Sequence, residues 1–347
     1  MTKEIELKLS VSNAFAQFLS QEMTSFHVLK QEKVFLGNTY YDTADSYFAR
    51  HKMGLRVRQY NNDFTLTLKT NGDVLGGLHS RPEYNVSQES AVPNLAKLTE
   101  IYDLPNWHEF VLQPIFRTDF ERCLWLVECG YDVEIEVALD QGWIIAGEKS
   151  VPICEVEFEL KQGKTEDLLN FVANLSLESD VRLSSASKAQ RGYQLAFNIQ
   201  PQIQDWIAKW REFIVLATHE KIAYLVKFEQ QLIEESVMLG KDYFAQEFLR
   251  TVERIGAFFN LYHFYSENVT LLENQVNLQL TQGITHLDQN LLADLVERNA
   301  YLLLQIKDII RCHSENKNNA LAIEKLFALF HSGQYVKRML DLTFLTL

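Results

Sequence analysis

A chain of 347 residues with 47% hydrophobic content is long enough to bury two ordinary cores. Its formal charge of -13 excludes the extended basic surface that nonspecific nucleic-acid binding needs, and its four cysteines follow neither metal-knuckle nor disulfide-framework spacing. No run reaches the roughly 18 apolar residues of a membrane span and no signal pattern opens the chain, so a cytoplasmic protein with reduced thiols and no membrane partner is expected.

The opening stretch, MTKEIELKLS, sets Glu4, Glu6 and Lys8 on one side of a predicted strand and Ile5, Leu7 and Leu9 on the other, because residues two apart in a strand face the same way. SNAFAQFLSQEM follows as a helix, with Phe15, Phe18 and Leu19 on one face and Ser12 as its N-cap. GLRVRQY, FTLTLK, PEYNVS, VEIEVAL and ICEVEFELK are further strands by their period of two, and TEDLLNFVANL is a second covering helix. An antiparallel sheet or barrel follows from this pattern.

All six prolines lie at or before Pro201, and ten of the 14 glycines precede it. A boundary is therefore expected there, separating residues 1–200 from residues 201–347. Beyond it the apolar residues recur at intervals of three and four, with breaks near Gly240, Gly283 and Lys317, which predicts a bundle of four to six helices. The acidic excess belongs mainly to the first part, which holds 19 Lys and Arg against 28 Asp and Glu, compared with 14 against 18 in the second.

For a single strand, a charged face turned to solvent is the ordinary outcome. The same alternation recurs, however, at Arg56 and Arg58, at Thr65, Thr67 and Lys69, at Glu134 and Glu136, and at Glu155, Glu157 and Glu159. If the apolar faces pack beneath the helices, the charged faces share a lumen. Carboxylates there offer hard oxygen ligands to magnesium or manganese, and Arg and Lys offer donors to phosphate oxygens. Two glutamates from the first strand and two from a distant one could clamp one or two ions, giving a metal-dependent phosphate site.

The segment from Glu4 to Lys8 resembles the ExExK signature of the CYTH superfamily, the triphosphate tunnel metalloenzymes. YYDTAD, MGLRVR, TLTLKT, GGLHSRPEYNV, IEVALDQG, ICEVEFEL and SKAQRGY follow in family order across residues 1–198. Within that superfamily the chain looks most like the bacterial inorganic triphosphatases of CYTH-plus-CHAD architecture. The resemblance implies an α+β fold: an eight-stranded antiparallel tunnel with covering helices, followed by an all-α bundle. It also implies hydrolysis of tripolyphosphate to pyrophosphate and phosphate with a divalent cation.

By the same resemblance, Glu4, Glu6, Glu155 and Glu157 correspond to metal-binding carboxylates. Lys8, Arg56, Arg58, Lys69 and Arg81 correspond to triphosphate-contacting cations, as do Lys188 and Arg191 of SKAQRGY, and Glu136 to an inward carboxylate that orders water or a cation. Arg117 and Arg122 have opposite parity, so at most one faces the lumen in a regular strand, and the family match selects Arg122. Glu134 and Glu159 are read as salt-bridge residues, Tyr40, Tyr41 and Asp42 as shaping the tunnel mouth, and His79 as a rim residue. The implied mechanism is in-line attack of a metal-activated water on a terminal phosphoryl group, with basic side chains holding the phosphate chain.

Two other function classes stay open at this point. One is an adenylyl cyclase, or a hydrolase of nucleoside or thiamine triphosphates, using the same tunnel; the other is a non-catalytic polyphosphate-binding module. The second part resembles a CHAD domain by position and helicity. It keeps Arg250 and Arg254 but carries no histidine in that helix, and His219, His263, His286, His313 and His331 are dispersed. Packing, homo-oligomerisation or contact with a protein partner is therefore as strong an expectation for it as polyphosphate docking.

Overall fold

The protein was studied as a computed structural model that describes residues 2–177, 180–281 and 290–347. The break expected near Gly283, and His286, lie outside the described residues. The chain divides into two compact units, Met1–Leu168 with Ser185–Gln200, and Leu169–Ser184 with Pro201–Leu347. The chain thus passes between units near Pro201 and also on either side of the segment 169–184.

The first unit is built on long strands. In chain order its elements are β1 (Thr2–Val11), α1 (Asn13–Glu22), β2 (His27–Thr43), α2 (Tyr47–Arg50), β3 (Gly54–Tyr60), β4 (Asp63–Lys69), β5 (Asp73–Leu75), β6 (Leu78–Gln88), α3 (Leu95–Leu98), β7 (Leu112–Gly130), β8 (Val133–Ala146) and β9 (Lys149–Gln162). Helix α4 (Thr165–Asn174) begins there, strand β10 (Val181–Leu183) lies in the second unit, and α5 (Lys188–Phe197) returns to the first.

The strands pair antiparallel in the order β1-β9-β8-β7-β2-β3-β4-β6, and a further pairing of β6 with β1 closes these eight into a ring. Closure leaves no open edge between these neighbours, and β5 folds back on β6 through Gly76 and Gly77, whose φ of 54° and 82° suit glycine. Ring closure also decides which way each strand faces. Leu7 and Leu9, with no exposure, turn outward, and so do Leu55, Val57, Leu66 and Leu68, which pack with Phe48, Leu95 and Leu98. Ser12 caps α1 as expected, accepting from the Phe15 amide, and Phe15, Ala16 and Leu19 are buried.

One stretch of the interior is apolar. Leu36, Tyr40, Phe116 and Phe120 share the parity of Asn38, Thr118 and Arg122, and they pack with Tyr193 of α5. The helix comes so near that a Cβ on Gly192 would collide with the Phe116 ring, so glycine is required there.

The second unit contains α6 (Trp206–Ile214), α7 (Lys221–Leu239), α8 (Lys241–Gln246), α9 (Phe248–Glu267), α10 (Val269–Thr281), α11 (Leu291–Asn316), α12 (Asn319–Phe330) and α13 (Gly333–Phe344). Among the described residues eight helices replace the expected four to six, because two breaks occur without glycine or proline. The run from Trp206 breaks beyond Ile214, and the run from Asp242 breaks at Glu247, where φ and ψ are -110° and 89°. The core of this unit holds charges as well as apolar side chains. Arg338 and Glu229 pair at 2.8 Å with no exposure, and Arg254, also buried, pairs with Glu235. His219 and His263 are exposed, His313 bonds Asn319 and His331 bonds the Phe327 carbonyl. Among the described residues no helix is long and apolar enough to cross a membrane, and the four cysteines are free thiols.

Candidate active site

A cavity of about 1070 Å³ occupies the first unit, and its wall is charged. Glu4, Glu6 and Lys8 reach it from β1, Arg56 and Arg58 from β3, Lys69 from β4, Arg81 from β6, Arg122 from β7, Glu136 from β8, Glu157 from β9 and Lys188 from the first turn of α5. The period of two explains this directly, since ring closure turns one parity of every strand inward.

The charges fall into two groups. In the first, Lys69 Nζ donates to both Glu4 oxygens at 2.8 and 2.6 Å and pairs with Glu83 at 2.8 Å, while Arg81 Nη2 donates to Glu6 at 2.9 Å. Arg56 stands 3.9 Å from Glu83. In the second, Lys188 lies 2.6 Å from Asp140, 2.6 Å from Glu155 and 3.0 Å from Glu157, and Lys8 lies 3.4 and 2.9 Å from Glu155 and Glu157. Arg122 donates to both Asp140 oxygens at 2.7 Å and to Glu157 at 2.7 Å. Oxygens of Asp140, Glu155 and Glu157 lie within 4.8 Å of one another.

These contacts set the protonation states. Burial pushes Glu6 up, but Lys69, Lys8 and Arg81 overcome it and hold the carboxyl at about 2, against repulsion from Glu157. Burial also raises Glu4, and here the pull of Lys69 does not offset it, so the group sits at about 7. Glu157 is driven well below the usual range, because Lys188, Lys8 and Arg122 together outweigh its burial.

Arg58 is the exception. Its Nε donates to Asn38 Oδ1 at 2.9 Å, and among the described residues it forms no ion pair with a carboxylate. Burial and the nearby positive charges of Arg56 and Arg122 lower it to about 9.

Several expected roles change. The four glutamates read as one clamp are divided: Glu155 and Glu157 join Asp140, whereas Glu4 and Glu6 share their surroundings with Glu83. Glu155 and Arg191 are not on the cavity wall. One oxygen of Glu155 meets Lys188, and Arg191, one turn further along α5, takes the other at 3.2 Å while also bonding the Pro152 carbonyl. Arg191 is thereby held at the end of β9 rather than in the lumen. Asp42 does not shape a mouth: it is fully buried, accepts the amides of Phe48 and Ala49 at 2.9 and 3.0 Å, and receives the Tyr193 hydroxyl at 2.8 Å. It joins α2 to α5. Tyr40 is on the cavity wall and stacks on Phe116 at 4.4 Å, and the Tyr41 hydroxyl donates to the Ala91 carbonyl. His79 is buried in the wall rather than placed at a rim. Arg122 lies inside and Arg117 outside, where it pairs with Asp119 at 3.0 Å; Glu136 and Glu159 share Lys161 at 3.5 and 2.8 Å.

Asp140, Glu83 and Asn38 were not singled out by the sequence reading. Each had a signal: Asp140 shares the parity of Glu136, Glu83 that of Arg81, and Asn38 that of Tyr40.

The CYTH domain family matches residues 2–193. This chain belongs to the CYTH family. Over 350 aligned residues, spanning 99% of this chain and 97% of the relative, it is 46% identical to an inorganic triphosphatase of Haemophilus influenzae. Among solved structures, a putative adenylyl cyclase from Hippeastrum, described as having a dominant triphosphatase activity, is 22% identical, with a TM-score of 0.41, over 55% of this chain and 95% of that one. A Pyrococcus horikoshii OT3 protein is 18% identical, with a TM-score of 0.32, over 48% of this chain and 83% of its own. The CYTH match covers the whole ring and ends within α5, so every residue on the cavity wall except Gln194 and Ile199 lies inside it.

Proposed function

We infer that the protein is a metal-dependent hydrolase that cleaves inorganic tripolyphosphate to pyrophosphate and phosphate, with activity residing in the ring. The observation that carries this reading is Arg58, a half-buried cation on the wall of a charged cavity, with two further arginines beside it and, among the described residues, no ion pair to a carboxylate. Such a group is costly without an anion to meet it, and a polyphosphate supplies several. The Haemophilus influenzae relative, an inorganic triphosphatase by name, supports the same substrate.

The donor chemistry also fits a divalent cation. The acidic groups offer only carboxylate oxygens, which suit magnesium or manganese, and Glu6 and Glu157 repel each other, a repulsion that a bound cation would relieve. Glu4, Glu6 and Glu157 on the wall, with Glu155 and Asp140 packed behind Glu157, are the residues to hold one or two such ions. When bound, the ion supplies Lewis acidity toward a phosphoryl oxygen and lowers the pKa of a water.

Lys8, Lys69, Arg81, Arg122 and Lys188 are already ordered by carboxylates. They can exchange those partners for phosphate oxygens without being rebuilt, holding the chain straight and neutralising charge on the departing pyrophosphate. Phosphate release from tripolyphosphate, ATP and thiamine triphosphate, each with magnesium, manganese or chelator, tests the assignment. Metal-dependent turnover of tripolyphosphate ahead of the other two is the expected result. Cyclic AMP formation from ATP, or binding without turnover, would overturn it.

A further inference from the structure

Asn38 lies on β2 between Arg58 on β3 and Thr118 on β7, directly opposite each in the strand registers. It is 1% exposed and is not on the cavity wall. Its Oδ1 accepts from Arg58 Nε at 2.9 Å, and its Nδ2 donates to Thr118 Oγ1 at 3.1 Å and to the Thr118 carbonyl at 3.4 Å. Thr118 is fully buried, so the amide is fixed from behind by a partner that does not move with solvent.

The choice of an amide here has a chemical meaning. A carboxylate of the same shape would also accept from Arg58 Nε, and it would bring a full counter-charge. Every other arginine that the cavity wall presents has an acidic partner: Arg56 has Glu83, Arg81 has Glu6, and Arg122 has Asp140 and Glu157. Among the described residues, Arg58 is the arginine of this wall that has an amide partner and no ion pair.

We propose that Asn38 is a positioning residue that aims the Arg58 guanidinium at the substrate while leaving its positive charge uncompensated, so that Arg58 captures the incoming polyanion without first releasing a carboxylate. The proposal rests on the tripolyphosphate reading above and deepens it. Arginines already paired must exchange one anion for another. Arg58 gains a partner and loses none, so its contribution falls on substrate capture more than on turnover.

The test compares wild type, Asn38→Asp and Asn38→Leu. Tripolyphosphate hydrolysis gives kcat and KM separately, binding of tripolyphosphate in chelator gives capture without turnover, and thermal unfolding reports the fold. Asn38→Asp keeps the shape and the acceptor but neutralises Arg58, and KM should rise by about thirtyfold with kcat within about threefold of wild type. Asn38→Leu frees Arg58 but leaves its charge, and a rise of about fivefold is expected. That order is the signature, because a merely structural amide would tolerate Asp better than Leu. The reverse order, or unchanged KM in both variants, overturns the positioning role. If Asn38→Asp does not fold, Asn38→Leu decides alone, and wild-type KM in that variant overturns the role. A wild type that neither binds nor cleaves tripolyphosphate overturns the functional reading together with it, whereas an active wild type matched by Asn38→Asp overturns the role of Asn38 only.

Discussion

Arg58, half-buried in the ring, and Arg338, fully buried in the helical unit, both donate from Nε to an asparagine, Asn38 at 2.9 Å and Asn299 at 2.5 Å. From there they diverge. Arg338 bonds Glu229 at 2.8 Å and lies 4.8 Å from the centre of the Tyr265 ring, and the carboxylate outweighs burial so that its pKa is raised. For Arg58 burial, with Arg56 and Arg122 nearby, outweighs the pull of Tyr40 and Asp140, and its pKa falls to about 9. The same amide contact thus serves two ends. With a carboxylate beside it the cation is finished as a piece of core, and without one it is left as half of an interaction.

The comparison extends to the acids. Glu157 is surrounded by Lys8, Lys188 and Arg122, and these cations keep Glu155 or Asp140 if it is neutralised. Glu157→Gln should therefore remain folded yet lose at least about a thousandfold in turnover, because an amide is a weak ligand for a hard cation. Phosphate release together with the unfolding midpoint measures this, and a variant retaining most of its activity would remove Glu157 from the metal site.

The two arginines should separate next. Arg338→Met leaves Glu229 buried without its cation and should lower stability by about 3–5 kcal/mol in urea unfolding. Arg58→Met should cost no stability. With a folded pKa of about 9, below the ordinary arginine value, the unfolded chain binds the proton more readily, so below pH 9 the charged group opposes folding and its removal favours it. KM for tripolyphosphate should nevertheless rise by about thirtyfold or more. Equal stability losses in the two variants would break the contrast.

A smaller effect is expected at Gly192. Alanine there meets the Phe116 ring and must displace α5, which carries Lys188 one turn earlier. A stability loss of about 1–3 kcal/mol is expected, with kcat/KM down about tenfold as Lys188 shifts. The smallest effect concerns Glu4. Its folded pKa of about 7 lies above the ordinary 4.5, so the folded state binds the extra proton between these values and stability falls as pH rises through that window. Glu4→Gln should match wild type in Tm at pH 4 and exceed it above pH 7, with Lys69 still held by Glu83. A flat difference across that range would contradict the assigned shift.

Much of the site was legible because strand parity is a local property. Glu4, Glu6 and Lys8 declare one face within five residues, and Arg56 and Arg58, or Glu155 and Glu157, do so within three. Asp140 and Glu83 obey the same rule but stand alone at the ends of their runs, where a single acid looks like an edge residue. Asn38 was hidden differently: asparagine reads as a turn former, and only the pairing of β2 with β3 and β7 shows that it sits midway across the sheet. Which carboxylate meets which cation is likewise a matter of ring closure, and no periodicity encodes it. In the helical unit the apolar period predicted helices, but the break at Glu247 carries no residue that announces one, so helix number was undercounted.

Strand β1 has a temporal consequence. It is held by β6 on one side and β9 on the other, so of the eight strands in the ring the earliest to be synthesised is the one that completes it. At ordinary elongation rates the gap before β9 emerges is roughly 7–30 s. For that interval Ile5, Leu7 and Leu9 form a nascent apolar edge, and a chaperone that shelters this strand during synthesis would act on the step that closes the tunnel.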